Sequence, residues 1–186
     1  MVLAQRLSEA DYTRFVLTGA EGAWELHEGR LVEKPGMTWK HADVIENLGF
    51  LLRQQLDRRV YRVRENEERL RKPSGTVLIP DIAVIPTAHG DMLRDEVVLA
   101  VIDDPLPLVV EVWSPSTGEY DGDAKIPLYQ QRGDLEIWRI HPYERSLTVW
   151  RRQGDDSYHQ SLYTSGSVSP AALPGVTIEL EHIFAS

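Results

Sequence analysis

The chain has 186 residues, with 20 Lys and Arg against 29 Asp and Glu, 42% hydrophobic and 26% charged residues, and no cysteine. Such a composition suits one soluble globular domain and excludes a disordered or collagen-like chain; the missing thiols exclude a disulfide framework, a thiolate metal site and a Cys nucleophile. A formal charge of -9 argues against gripping a polyanion by bulk charge, while leaving room for a local cationic patch.

Arg6, Glu9, Asp11 and Arg14 interrupt the N-terminal stretch before any long apolar run. No signal peptide is therefore expected, and the location expected is cytoplasmic. Ser8 is placed to cap a short helix over Glu9 to Phe15. Trp24-Glu25-Leu26 and Arg30-Leu31-Val32-Glu33 flank His27-Glu28-Gly29 as a hairpin with glycine at the turn. Ala42, Ile45, Leu48, Leu52 and Leu56 recur at three- and four-residue spacing, which predicts a helix from Thr38 to Leu56. Short strands are expected at Val60 to Val63 and Arg69 to Arg71. Val77 to Ile85, apolar apart from Pro80-Asp81, reads as one strand covered on both faces.

Residues 88–104 stay open between helix and loop. Leu106 to Trp113 is a second dry strand, strand-sized and far short of a membrane span, ended by Ser114-Pro115-Ser116. A helix over Ala124 to Gln131 should stop at Gly133, its start set by Pro127, which fits best in a first turn. Strands over Leu135 to Ile140, Ser146 to Arg151, His159 to Tyr163 and Val176 to Leu180 complete the pattern. The expected fold is one α/β (α+β) domain over 1–186, a central mixed sheet flanked by helices.

Both dry strands carry an acid: Asp81 in the first, Glu111 near the end of the second. An isolated buried carboxylate costs several kcal/mol unless paired or metal-bound. Two convergent carboxylates suit Mg²⁺ or Mn²⁺, provided their strands are sheet neighbours. Asp121, Lys125 and Tyr129, four residues apart, fall on one face of the following helix if it extends that far. Lys125, one of four lysines, could hold an attacking water or steady charge on a phosphoryl oxygen.

Pro80-Asp81-Ile82-Ala83-Val84, then Val109-Val110-Glu111-Val112-Trp113-Ser114-Pro115-Ser116-Thr117, then Asp121, Lys125, Tyr129 and Gly133, then Glu136-Ile137-Trp138 together resemble the Uma-type restriction-endonuclease family of bacteria. That family lies within the PD-(D/E)XK nuclease superfamily. Trp24-Glu25-Leu26, Gly29, Leu31-Val32-Glu33 and His41 extend the likeness, which covers roughly residues 20–150. The resemblance implies a restriction-endonuclease-like core and metal-dependent cleavage of nucleic acid, DNA first of all, with Mg²⁺ or Mn²⁺. Asp81 and Glu111 match the metal-binding acids. Trp113 stands where the superfamily pattern places its lysine, and Lys125 matches the position to which that lysine has moved within the family. Glu25 matches an N-terminal glutamate, a third metal ligand or else a solvent-facing strand-end acid. Asp121, Tyr129 and His41 are supporting candidates, Tyr129 packed beneath the acids.

Segment 53–72 carries eight cations against four acids, a local excess of +4, and offers Arg62, Arg64, Arg69 and Arg71 as contacts to nucleic acid. The alternative there is a solvent-facing hairpin of alternating charges. The departure from the lysine pattern and the acidic balance keep open a second function, a catalytically silent module of the same fold used in partner binding or assembly. A sugar hydrolase using Asp81 and Glu111 is a third, and would need an aromatic-rich cleft. A homodimer is the assembly expected of the superfamily.

Overall fold

The computed structural model describes residues 6–72, 75–91, 98–115 and 118–185, the side chains of 91 and 118–123 apart. Its elements begin with α1 (Glu9–Leu17), β1 (Trp24–His27), β2 (Arg30–Glu33), α2 (Trp39–Gln55), β3 (Tyr61–Glu65), β4 (Arg69–Lys72), β5 (Thr76–Leu78), β6 (Ile82–Pro86) and α3 (Thr87–Asp91). They continue with β7 (Val101–Ile102), β8 (Leu108–Val112), α4 (Gly118–Arg132), β9 (Glu136–His141), β10 (Ser146–Arg152), β11 (Tyr158–Tyr163), β12 (Ser167–Val168), β13 (Ile178–Glu179) and α5 (Leu180–Ile183).

Local chemistry sets the first elements. The Ser8 hydroxyl accepts from the Asp11 N–H while the Asp11 carboxylate accepts from the Ser8 N–H, a reciprocal cap on α1. Thr38 caps α2 by accepting from the His41 N–H. Glu28 and Gly29 turn the β1–β2 hairpin with φ of +48° and +83°, the left-handed pair that a tight hairpin requires.

A six-stranded mixed sheet runs β11-β10-β9-β8-β6-β3, with β8 and β9 its parallel pair. Beside it lies a five-stranded sheet, β2-β1-β5-β4-β7, which the expectation of one central sheet did not include. Side chains alternate across the larger sheet. Ile82, Val84, Leu108, Val110 and Val112 pack with Val44, Ile45, Leu48 and Leu52 of α2. Ala83, Ile85 and Val109 pack on the opposite face with Ile126 and Tyr129 of α4. Period two therefore turns Glu111, two residues after Val109, toward α4.

Three expectations change. Val77 to Ile85 is two strands in two sheets: Pro80 has no N–H for a ladder, so the chain leaves the smaller sheet after Leu78 and enters the larger at Ile82. Asp81 sits at that crossing, its carbonyl accepting the Asn66 N–H at 3.0 Å just beyond the β3–β6 pairing. Helix α4 begins at Gly118 rather than Ala124 and holds Pro127 in its interior, so it forgoes one intrahelical hydrogen bond. Beyond Val176 the strand is only Ile178–Glu179, and Leu180 opens α5, which buries Leu180 and Ile183. Among the described residues no helix is long and apolar enough to cross a bilayer.

Candidate functional site

Strands β6 and β8 are antiparallel neighbours with Ile82 opposite Val110, so one step further Asp81 faces Glu111. Both acids are buried, at 2% and 5% exposure. Asp81 Oδ2 accepts the Val112 N–H at 2.7 Å and lies 3.2 Å from His41 Nε2. His41, read as a candidate at a helix start, is buried in the first turn of α2, and its Nδ1 has no hydrogen-bond partner among the described residues.

Helix α4 supplies the opposite wall. Lys125 and Tyr129, one turn apart, point together at the strand acids. The Tyr129 hydroxyl donates to Glu111 Oε1 at 2.5 Å, and Lys125 Nζ lies 3.4 Å from the same oxygen. Lys125 also donates to Glu25 Oε1 at 2.8 Å. Asp121 lies on the same helix, but its side chain is outside the described residues. Glu25 is 2% exposed rather than solvent-facing. Its Oε1 also accepts the Ile79 N–H at 2.7 Å, and its Oε2 lies 2.7 Å from His27 Nε2.

Lys34, which follows the β1–β2 hairpin, was not among the expected residues. Its ammonium spends three donors at 2.9 Å on Asp81 Oδ1, the Ile79 carbonyl and Asn66 Oδ1. Only its rarity hinted at it, since lysine occurs four times in the chain. A cavity of about 250 Å³ opens on this group, lined by Glu25, Lys34, His41, Asp81, Glu111 and Lys125.

Three carboxylates and two ammonium groups leave the cluster one positive charge short. Burial pushes Glu25 up, but Lys125, His27 and Lys34 outweigh it and hold the carboxyl down at about 2. Burial likewise raises Asp81, yet Lys34 and His41 keep it below the ordinary carboxylate range. Glu111 carries the deficit: burial and the negative charge of Asp81 lift it to about 7 despite Lys125. Burial opposes the Lys125 charge, but Glu111, Glu25 and Asp81 more than offset that, so its pKa stands above the usual lysine value. Tyr129 stays neutral, raised by burial and by the Glu111 charge.

Hard carboxylate oxygens short of positive charge are chemically suited to a divalent cation, and Mg²⁺ commonly uses only one or two carboxylates, completing its shell with water and phosphate oxygens. Asp81 and Glu111 are the pair that could hold one. Glu25, the third ligand expected, has its oxygens engaged by Lys125, the Ile79 N–H and His27, as those of Asp81 are by Lys34, the Val112 N–H and His41. Among the described residues no three His, Asp or Glu side chains are grouped to hold a metal ion.

The four arginines of the expected strip divide between the sheets, Arg62 and Arg64 on β3 and Arg69 and Arg71 on β4. Arg62 donates to the Arg58 carbonyl, and Arg64 lies 3.6 Å from Glu67 and 3.8 Å from Glu68. Arg69 donates to the Tyr12 hydroxyl, while Arg71 pairs with Glu9 at 2.7 Å and Asp103 at 2.6 Å. Glu9 and Asp103, distant in sequence, thus offset Arg71, while Arg62 and Arg69 meet neutral oxygens.

Residues 10–181 match the model of the Uma2 family, described as "Putative restriction endonuclease". Among solved structures the chain is similar to "a putative nuclease belonging to DUF820" from Anabaena variabilis ATCC 29413, with 18% identity, a TM-score of 0.74, and coverage of 89% of this chain and 91% of that one. No curated protein matches the chain. At that identity the structural likeness establishes the fold, a mixed α/β core of the restriction-endonuclease-like type. With the family match running through almost the whole sequence, the chain belongs to the Uma2 family.

Proposed function

We propose that this protein is a metal-dependent endonuclease of the PD-(D/E)XK type that hydrolyses phosphodiester bonds, DNA being the first substrate to test. The observation that carries this reading is the buried Asp81–Glu111 pair on adjacent strands, facing a cavity with Lys125 against Glu111. Water oxygen bonds to phosphorus as the bond to the leaving sugar oxygen breaks, and a proton returns to that oxygen. A Mg²⁺ or Mn²⁺ held by Asp81 and Glu111 would activate that water and offset charge on the phosphoryl group.

The chain's own residues prepare the site. Lys125, fixed by Glu25, places a permanent positive charge where phosphoryl oxygens gain negative charge, and does so in a place shielded from water. Lys34 and His41 hold Asp81 ionised, and Tyr129 orients Glu111. We assign Glu25 and Tyr129 as positioning residues and infer a homodimer, which sedimentation velocity checks. The test is cleavage of single- and double-stranded DNA with Mg²⁺ or Mn²⁺. Asp81→Ala and Lys125→Ala should each lose cleavage while remaining folded by circular dichroism. Metal-dependent cleavage that survives Asp81→Ala defeats the site assignment, and no cleavage with either metal favours a silent partner-binding module.

A further inference from the structure

An aromatic rim is built onto the acidic centre through three separate ties. Val112, whose N–H holds Asp81, is followed by Trp113, whose ring stacks on His141 at 4.3 Å between centroids and 22° between planes. Tyr143 meets Trp113 edge-on at 5.9 Å, and its hydroxyl lies 3.4 Å from Thr38 Oγ1. Thr38 caps the helix turn that carries His41 to Asp81, and in the same turn Lys40 Nζ stands 5.0 Å from the centre of the Tyr143 ring. Asn66 accepts from Lys34 and reaches Met37 Sδ at 3.7 Å; Met37 in turn lines the cavity.

Around this frame the apolar surface is left open. Trp39 is 84% exposed, Met37 52% and Tyr143 46%. Exposed large apolar side chains at Met37 and Trp39, on the turn that Thr38 and Lys40 tie to Tyr143, mark a recognition surface rather than a packing need. The charge of -9 also limits how such a protein can hold a nucleic acid. Part of the cationic strip is already paired, Arg64 with Glu67 and Glu68 and Arg71 with Glu9 and Asp103, which leaves neutral groups to supply a share of the affinity. Nucleobases offer neutral π faces, but those faces are covered within a duplex and available only in an unpaired strand.

Resting on the nuclease reading above, we propose that Met37, Trp39 and Tyr143 form a base-stacking platform. The preferred substrate is then single-stranded DNA, presented with an unstacked base on the rim beside the acidic centre. Lys40, over the outer ring, adds a cation placed to meet the adjoining phosphate.

The experiment measures fluorescence anisotropy of the full chain with Ca²⁺ replacing Mg²⁺, using short oligothymidine, an abasic strand of the same backbone, and a duplex of equal length. Oligothymidine should bind roughly tenfold or more tightly than the abasic strand. Trp39→Ala and Tyr143→Ala should each remove most of that difference and leave abasic binding unchanged, while Trp39→Phe keeps it. Equal binding of the thymidine and abasic strands, duplex preference, unaffected alanine variants or no binding at all overturns the platform. Because Trp39 is so exposed, its truncation should not perturb folding, which thermal melting verifies. Cleavage by wild type and Asp81→Ala separates the two readings. Duplex cut as fast as single strand, with Trp39→Ala fully active, defeats the platform alone. Base-dependent binding without any cleavage defeats the nuclease assignment alone.

Discussion

Replacing Lys125 by Met removes a buried ammonium from between two carboxylates. The side chains of Lys125, Glu25 and Glu111 are 5%, 3% and 7% exposed, with the ammonium 2.8 Å from Glu25 and 3.4 Å from Glu111. At an effective dielectric of about 20 those separations correspond to attractions of about 6 and 5 kcal/mol before desolvation is subtracted. Stripping one partner from such a pair typically costs about 3–5 kcal/mol, because the other charge stays buried. Glu111, which titrates at about 7, escapes by taking a proton, so the loss falls mainly on Glu25. Lys125→Met should therefore lower unfolding free energy by about 3–5 kcal/mol at neutral pH, and by less in acid, where protonation relieves the stranded carboxylate. Adding Glu25→Gln should return about 2 kcal/mol of that loss. Urea denaturation followed by tryptophan fluorescence and circular dichroism measures all four proteins of the cycle. If the double variant loses the sum of the two single losses within about 0.5 kcal/mol, the ion pair does not carry the coupling and the electrostatic account of the site fails.

The two acids flanking Lys125 titrate in opposite senses. Glu25, lowered from 4.5 to about 2, stabilises the fold fully above pH 4.5 and loses that contribution as pH falls toward 2. Glu111, raised from 4.5 to about 7, stabilises below pH 4.5 and loses its contribution as pH rises to 7. Without metal, Glu111→Gln should thus gain on wild type by about 3 kcal/mol as pH rises from the lower of those values to just past the higher, at about 1.4 kcal/mol for each pH step of one between them. Parallel stability curves for the two proteins would contradict this. Arg132→Met should cost about 3–5 kcal/mol in urea, since it strands the buried Asp134 carboxylate 3.1 Å away and removes donors from the Ile102 and Asp104 carbonyls. A loss below about 1 kcal/mol would show that water replaces the guanidinium there. Gly133 ends α4 with φ of +82°, and an added Cβ would meet Arg152 Nη1 at 3.2 Å. Gly133→Ala should cost about 1 kcal/mol or more, seen as a lowered melting temperature, and an unchanged one would rule out the backbone argument.

Elements closed by neighbouring residues were legible in the chain itself. Ser8 and Asp11 cap a helix from within a single turn, Glu28-Gly29 turn a hairpin, and Lys125 and Tyr129 share a helix face because four residues make about one turn. Two acids in dry strands advertised a site, since burial without a partner is too costly to be incidental. Tertiary structure alone decided what those acids meet. Lys34 reaches Asp81 across 47 residues, His41 across 40, and Lys125 reaches Glu25 across 100. No local pattern encodes such pairs, because they form only when strands from separate sheets converge at Pro80-Asp81. The pairing of Arg71 was hidden for the same reason: Glu9 and Asp103, which offset it, lie 62 and 32 residues away. Sequence thus determined the local elements and the kinds of chemical group available. Which charges are paired, and the aromatic rim those pairs adjoin, depends on long-range packing, where burial strengthens each charge contact beyond what spacing along the chain can express.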